Sequence, residues 1–234
     1  MRVCVIYPAS CSASAKALAK GLSTKTNVVD AIHMVYQRDY RNYDLVINYG
    51  CSGSFYSRDR INSHVAVARC IDKIETFKRL KKAGLPILEY VTTRTKIPKE
   101  WEWVVVRESF KGNNAEGMLH VENGKEPMPM APLYTRWFDH SREYRVVVLN
   151  GKVVGRYEKV NVNGLWHFML VAAGGFKDID ISCIKAAEAL GIDYVGFDVL
   201  AKTKKEFRIC EANSGPIITP QAIEAFKKYV KERK

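Results

Sequence analysis

Apolar positions along this chain fall into two rhythms, short unbroken or alternating runs and a spacing of three to four, and the places where one gives way to the other mark the elements. Val3-Cys4-Val5-Ile6-Tyr7 is unbroken and predicts a buried strand opening the fold. Ala15, Leu18, Ala19 and Leu22 then share one helical face, with Ser12 or Ser14 as the expected cap. Leu45 to Tyr49 predicts a second strand ending at Gly50, so a strand–helix–strand lobe is expected first. Ile71, Ile74, Phe77 and Leu80 predict an amphipathic helix over 71–82, stopped by Gly84 and Pro86. Val104 to Val106 and Met118 to Val121 are strand-like and flank the polar loop 111–117. Arg145 to Leu149 and Val153 to Tyr157 flank Asn150-Gly151, the strongest short hairpin signal present. A helix over 181–190 is expected to turn Ile184, Ala187 and Leu190 inward. A last hairpin, 195–201 with 206–212, precedes a basic helix from Gln221 onward.

Charge adds a hint about partners. The net charge of +12 favours anionic ligands, nucleotides and nucleic acids among them. The lysines and arginines are dispersed over helix faces and turns without interleaved aromatics, so nucleic acid is the disfavoured partner. Six cysteines lie scattered with no CxxC pair, which fits reduced thiols in the cytoplasm better than a disulfide framework. The five histidines show no zinc spacing. Pro8 to Ala15 resembles a processing site, but the apolar run before it is too short for a signal peptide. No stretch approaches the ~18 apolar residues of a membrane helix, so a membrane partner is not expected.

The stretch richest in chemistry is Gly196-Phe197-Asp198-Val199-Leu200 with Ile209-Cys210-Glu211-Ala212-Asn213. Alternate side chains of a strand share a face, so Glu211 and Asn213 point the same way. A turn centred between Lys204 and Lys205 sets Asp198 opposite Glu211, with Cβ atoms ~5 Å apart. Leu200 and Ile209 are expected beside them, and Phe197, Val199 and Cys210 on the other face. Two facing carboxylates repel unless a cation lies between them, and an all-oxygen set suits magnesium. The plainer alternative is one carboxylate at the sheet edge, paired with a lysine.

With the rest of the chain, these residues resemble the ATP-grasp family. Asp198, Glu211-Ala212-Asn213 and Ser214-Gly215-Pro216 match its metal-binding lobe. Asp72-Lys73 with Ala83-Gly84-Leu85-Pro86 resembles the entry to its first lobe, and Val104 to Arg107 the strand bearing a phosphate-binding cation, here Arg107. Lys111 to Gly117 resembles its glycine-rich flap, and Glu143-Tyr144-Arg145-Val146 with Gly151 and Lys159 a further signature segment. The resemblance covers residue 60 onward. It implies an α+β ATP-grasp fold, two lobes clasping ATP, preceded by a small α/β lobe. The expected domains are 1–68, 69–138 with the flap, and 139–234 with the metal site.

The resemblance further implies an ATP-dependent ligase that joins a carboxylate to an amine through an acyl phosphate, acting on an amino acid, peptide or protein. ATP and magnesium (two ions, with manganese as the substitute) are the implied cofactors. Asp198, Glu211 and Asn213 would hold the metal. Lys73, Arg107, Lys111, Gly112 and Gly117 would meet phosphates, and Arg136 and Phe138 would offer hinge backbone groups to adenine. Arg145 and Lys159 are the candidate catalytic cations. One tension concerns Lys159: a two-residue turn at Asn150-Gly151 sets Arg145 opposite Arg156 and Lys159 on the other face, unless a bulge intervenes. Lys73 could equally be an exposed helix-start lysine, and the glycines could mark an ordinary loop. Gly196, where D-alanine–D-alanine ligases carry Arg, points toward ligases acting on peptide or protein ends. The alternatives are an ATP-binding regulatory module without ligase activity and a nucleic-acid-associated protein. A monomer or homodimer is expected.

Overall fold

A computed structural model describes residues 1–34, 39–109, 118–125, 127–163, 165–172 and 174–233. The chain opens with a parallel sheet of β1 (Arg2–Tyr7), β2 (Val28–His33), β3 (Leu45–Asn48) and β4 (Arg60–Ile61), in the order β2-β1-β3-β4. The apolar run of β1 is unbroken because both its faces are covered. Val3, Val5 and Tyr7 pack toward helix α1 (Ser12–Leu22), while Cys4 and Ile6 pack with Tyr40 and Phe55. Neither serine caps α1: a 3-10 turn at Ala9–Cys11 runs straight into it, and Cys11 stands at the cap without a side-chain bond.

The predicted helix over 71–82 is two helices, α2 (His64–Ile71) and α3 (Lys73–Lys82). Asp72 breaks them with an extended backbone (ψ 100°), and its carboxylate accepts the Glu75 N–H at 3.0 Å as the cap of α3. Ser63 caps α2 in the same way. Helix α2 runs through position 68, where the sequence places the end of the first lobe.

An antiparallel sheet follows, β5 (Tyr90–Val91), β6 (Trp103–Arg107), β7 (Met118–Glu122) and β8 (Leu133–Arg136), ordered β5-β8-β6-β7. The largest sheet holds β9 (Arg142–Leu149), β10 (Lys152–Val162), β11 (Leu165–Leu170), β12 (Tyr194–Ala201) and β13 (Phe207–Asn213), ordered β11-β10-β9-β12-β13. Asn150 and Gly151 turn β9 into β10 with φ of 47° and 70°, the pair of positive values a tight hairpin turn demands.

Helix α4 (Lys177–Leu190) begins four residues before the expected 181, with Asp178 and Asp180 in its first turn. It covers one face of this sheet, where Ile179, Cys183, Ala187 and Leu190 meet Val146, Val148, Phe197 and Val199. The other face is divided. At one end Val147, Leu149 and Tyr194 pack with α1 and with Phe226 and Val230 of α5 (Pro220–Glu232). At the other end that face carries charge. No helix among the described residues is long and apolar enough to cross a membrane.

Candidate active site on the β12–β13 hairpin

Two bulges build the charged half of the sheet. In the β9–β10 pair the register shifts between Val153 and Gly155, so Arg145 faces Tyr157 rather than Arg156, and Lys159 faces Glu143. That one-residue slip resolves the tension over Lys159, because it turns the lysine onto the face that carries Arg145. In the β12–β13 pair Asp198 lies opposite Glu211 as expected, although the turn is centred on Lys204 rather than between Lys204 and Lys205, and a one-residue register shift restores the pairing. Nearer the turn, however, Val199 pairs with Ile209, so Cys210 is the extra residue. The bulge corrects the expected sidedness. Ile209 is fully buried in the core under α4, and Cys210 packs with Leu200 and Phe77, its thiol donating to the Asp198 carbonyl oxygen at 3.3 Å.

Asp198 is 7% exposed in its side chain and is clasped by Arg145, whose Nε and Nη2 donate to its two oxygens at 2.7 and 2.8 Å. Lys159 Nζ lies 3.4 Å from the same carboxylate and 2.9 Å from Glu143. Burial lowers the pKa of Arg145 and of Lys159, but the Asp198 charge outweighs it together with the hydrogen bonds they donate and the charges of Glu211 and Glu143 respectively, so both are raised. The Arg145 guanidinium also sits 4.8 Å from the centre of the Phe168 ring. Across the hairpin, Lys73 at the start of α3 donates to Glu211 at 2.9 Å. Glu211 is therefore an edge-strand carboxylate paired with a lysine and also the partner of Asp198 across the ladder, so both sequence alternatives describe features of one cluster.

Arg107 is buried at the end of β6, with Nη1 3.3 Å from Met118 Sδ and Nε without a hydrogen-bond partner among the described residues. The buried Nδ2 of Asn213 is likewise unpartnered there. Asp198, Glu211 and Asn213 supply only oxygen donors, and among the described residues no cluster of three or more His, Cys, Asp or Glu forms a metal cage. Such a sparse set fits magnesium, which keeps water and phosphate oxygens in its shell. An ion there would share the carboxylates with Arg145, Lys159 and Lys73.

The remaining expected residues are less concentrated. Lys111, Gly112 and Gly117 lie outside the described residues. The Arg136 side chain is exposed and paired with Glu89 at 2.9 Å, and its N–H donates to the Glu89 carbonyl. Phe138 packs beside Leu200 and Cys210, with the Arg208 guanidinium 5.1 Å from its ring centre. Its carbonyl oxygen accepts from His140 Nδ1 at 2.8 Å. Glu143, which holds Lys159, was visible only as the first letter of a signature segment and not as a site residue. Gly196 has a steric reason: a Cβ there would lie 2.9 Å from Cβ of Pro216 and 3.5 Å from Cδ of Arg145.

Residues 135–231 match the RimK-like ATP-grasp domain. The chain is 26% identical over 223 residues to a probable alpha-L-glutamate ligase of Aeromonas salmonicida, covering 80% of this chain and 74% of that one. It is 24% identical to the human beta-citrylglutamate synthase B over 66% of its own length, and spans 46% of that relative. The structure of the ATP-grasp ligase PsnB, complexed with minimal precursor, magnesium and ADP, matches with a TM-score of 0.74 at 13% identity, over 99% of this chain and 96% of that one. The fold is the ATP-grasp fold, and the class is that of the ATP-grasp carbon–nitrogen ligases. Within that class, the lobe that carries Arg145, Asp198 and Glu211 is RimK-like.

Proposed function

We propose that this ligase couples an amino acid, with glutamate as the foremost candidate, to the carboxylate or amine of a small molecule or peptide. The names of its relatives support glutamate, and Arg145 and Lys159, both paired with Asp198, are the cations that would meet its carboxylates. A substrate carboxylate oxygen attacks the γ-phosphorus of ATP and ADP leaves. The amine nitrogen then attacks the acyl carbon, phosphate departs, and the nitrogen loses a proton. Asp198, Glu211 and Asn213 would hold two magnesium ions, which supply charge neutralisation at the phosphates. The chain's own cations do the rest. Lys73 and Arg107 bind phosphate oxygens, and Arg145 orients the carboxylate through its planar fork. The six free thiols fit a cytoplasmic ligase.

The observation that carries this reading is the Arg145–Asp198–Glu211 arrangement, a cation and two carboxylates set by register on one sheet face. Measuring ADP release with glutamate against a pool of amino acids and peptides tests it. Glu211→Ala should reduce amine-dependent turnover at least about a hundredfold, the scale of losing one charge-stabilising group. Full turnover in that variant would refute the assignment.

A further inference from the structure

Arg145 is gripped from several sides, and what remains open of it is narrow. A Cβ at Gly196 would stand 3.5 Å from Arg145 Cδ, so the stem lies close along β12. Nε and Nη2 donate to the two oxygens of Asp198 at 2.7 and 2.8 Å. A guanidinium carries five N–H donors in one plane, so this pair of bonds uses two of them. The other three, both on Nη1 and one on Nη2, lie along the end of the plane and take no hydrogen bond among the described residues. One face of the plane is taken as well: Cζ sits 4.8 Å from the centre of the Phe168 ring. Phe168 belongs to β11, the edge strand of the sheet, and stands opposite Lys159 across the ladder. Its half-buried side chain packs at the margin of the core under α5.

We infer that Phe168 is a positioning residue for the substrate carboxylate, acting through Arg145: its ring holds the guanidinium plane so that the free Nη1–Nη2 edge is presented in one orientation. The inference rests on the proposed role of Arg145 toward that carboxylate. Two bonds to Asp198 fix the guanidinium along their own direction but leave it free to tilt about the line that joins the two groups. A ring against one face removes that freedom. The faces of a guanidinium are weakly hydrated and stack well on aromatic rings, so the contact is attractive and costs little desolvation. Without the ring, water reaches that face, the plane tilts, and the edge offered to the substrate moves. The bonds to Asp198 survive the tilt, so the carboxylate proposed to hold magnesium keeps its place.

Two substitutions separate the ring from the space it fills. Phe168→Leu stays apolar and removes the ring, whereas Phe168→Tyr keeps it. Phe168→Met, also ringless, serves if the leucine variant fails to fold. L-glutamate is titrated calorimetrically into each protein saturated with magnesium and the non-hydrolysable analogue AMPPNP, and AMPPNP binding is measured separately. Phe168→Leu should weaken L-glutamate about five- to tenfold, the scale of one partly desolvated cation–π contact, and leave AMPPNP affinity within about twofold. Phe168→Tyr should restore L-glutamate binding to within about twofold of the wild type. A second measurement needs no substrate. The Arg145 Nε–H proton resonance, assigned by its loss in Arg145→Lys, should carry the ring's shielding in the wild type and in Phe168→Tyr, and lose it in Phe168→Leu.

An Arg145 resonance that stays put in the ringless variant would overturn the inference, as would L-glutamate affinity unchanged by Phe168→Leu. Losses of L-glutamate and AMPPNP affinity in parallel, in step with melting temperature, would overturn it too, since they mark a merely structural phenylalanine. A wild-type chain that binds magnesium and AMPPNP but no L-glutamate would instead sink the glutamate reading of the proposed function, while the resonance still decides the contact between ring and guanidinium.

Discussion

Replacing Asp198 with Asn keeps the shape of the side chain and removes its charge, which makes it the most informative single change at this site. Asp198 and Arg145 are 7% and 14% exposed in their side chains, so little solvent screens the pair. Breaking such a buried pair costs about 3–5 kcal/mol, because the orphaned partner stays desolvated. The lower end applies here. The amide keeps one acceptor oxygen, Glu143 still engages Lys159, and the Glu211 charge still bears on Arg145. About 3 kcal/mol in a chain of this length corresponds to a melting temperature lowered by roughly 6–12 °C, at about 2–4 °C per kcal/mol. Differential scanning calorimetry without ligand reads that drop. A second scan with magnesium and AMPPNP at about one hundred times the dissociation constant should stabilise the wild type by about 2.7 kcal/mol and the variant by far less. A variant that melts with the wild type, and that gains as much from magnesium and nucleotide, would refute both the buried pair and the metal assignment.

Other expectations follow from neighbouring contacts. Gly196→Ala would press a methyl group to within 2.9 Å of Pro216, so we expect a loss of about 1–3 kcal/mol in denaturant unfolding and a shifted Pro216 loop; an unchanged unfolding midpoint would contradict the packing. Asn62 is buried at φ 63°, donates to the Asn48 and Tyr194 carbonyls, and accepts from the Asp193 and Tyr194 N–H groups, so it stitches the N-terminal sheet to β12. Asn62→Ala should cost about 3–4 kcal/mol, since buried backbone groups lose their partners, and urea melts would show it as a lower midpoint. Burial pushes the Cys51 and Cys70 thiols up to about 12 and the Cys183 thiol higher still, whereas Cys11, also raised by burial, is only half-buried. Iodoacetamide at pH 8 should therefore label Cys11 first, as read by mass spectrometry. Labelling of Cys183 in the native protein at the rate of Cys11 would contradict its burial.

Local rules carried a good part of the fold and of the hairpin. Asn150-Gly151 between two β-branched runs announces its turn, because few other pairs tolerate positive φ twice. The unbroken run at Val3 to Tyr7 announces a strand covered on both faces. The count that set Asp198 against Glu211 reached the right pair only because the Cys210 bulge offsets a turn centred on Lys204. Helix α2 and the two-residue strands β4 and β5 escaped notice, whereas the helix start at Asp72-Lys73 showed only through the family resemblance and not through periodicity, which runs on to Ile71.

By itself the sequence determined the opening strand and helix, the Asn150-Gly151 hairpin and the all-oxygen character of the Asp198, Glu211 and Asn213 set, because these depend on near neighbours and a fixed strand period. Tertiary structure alone decided where Lys159 points, how Cys210 and Ile209 exchange sides, and that Lys73 meets Glu211 from 138 residues away. Bulges and long-range pairings arise from the twist and packing of whole sheets, and no short window of sequence contains the forces that place them.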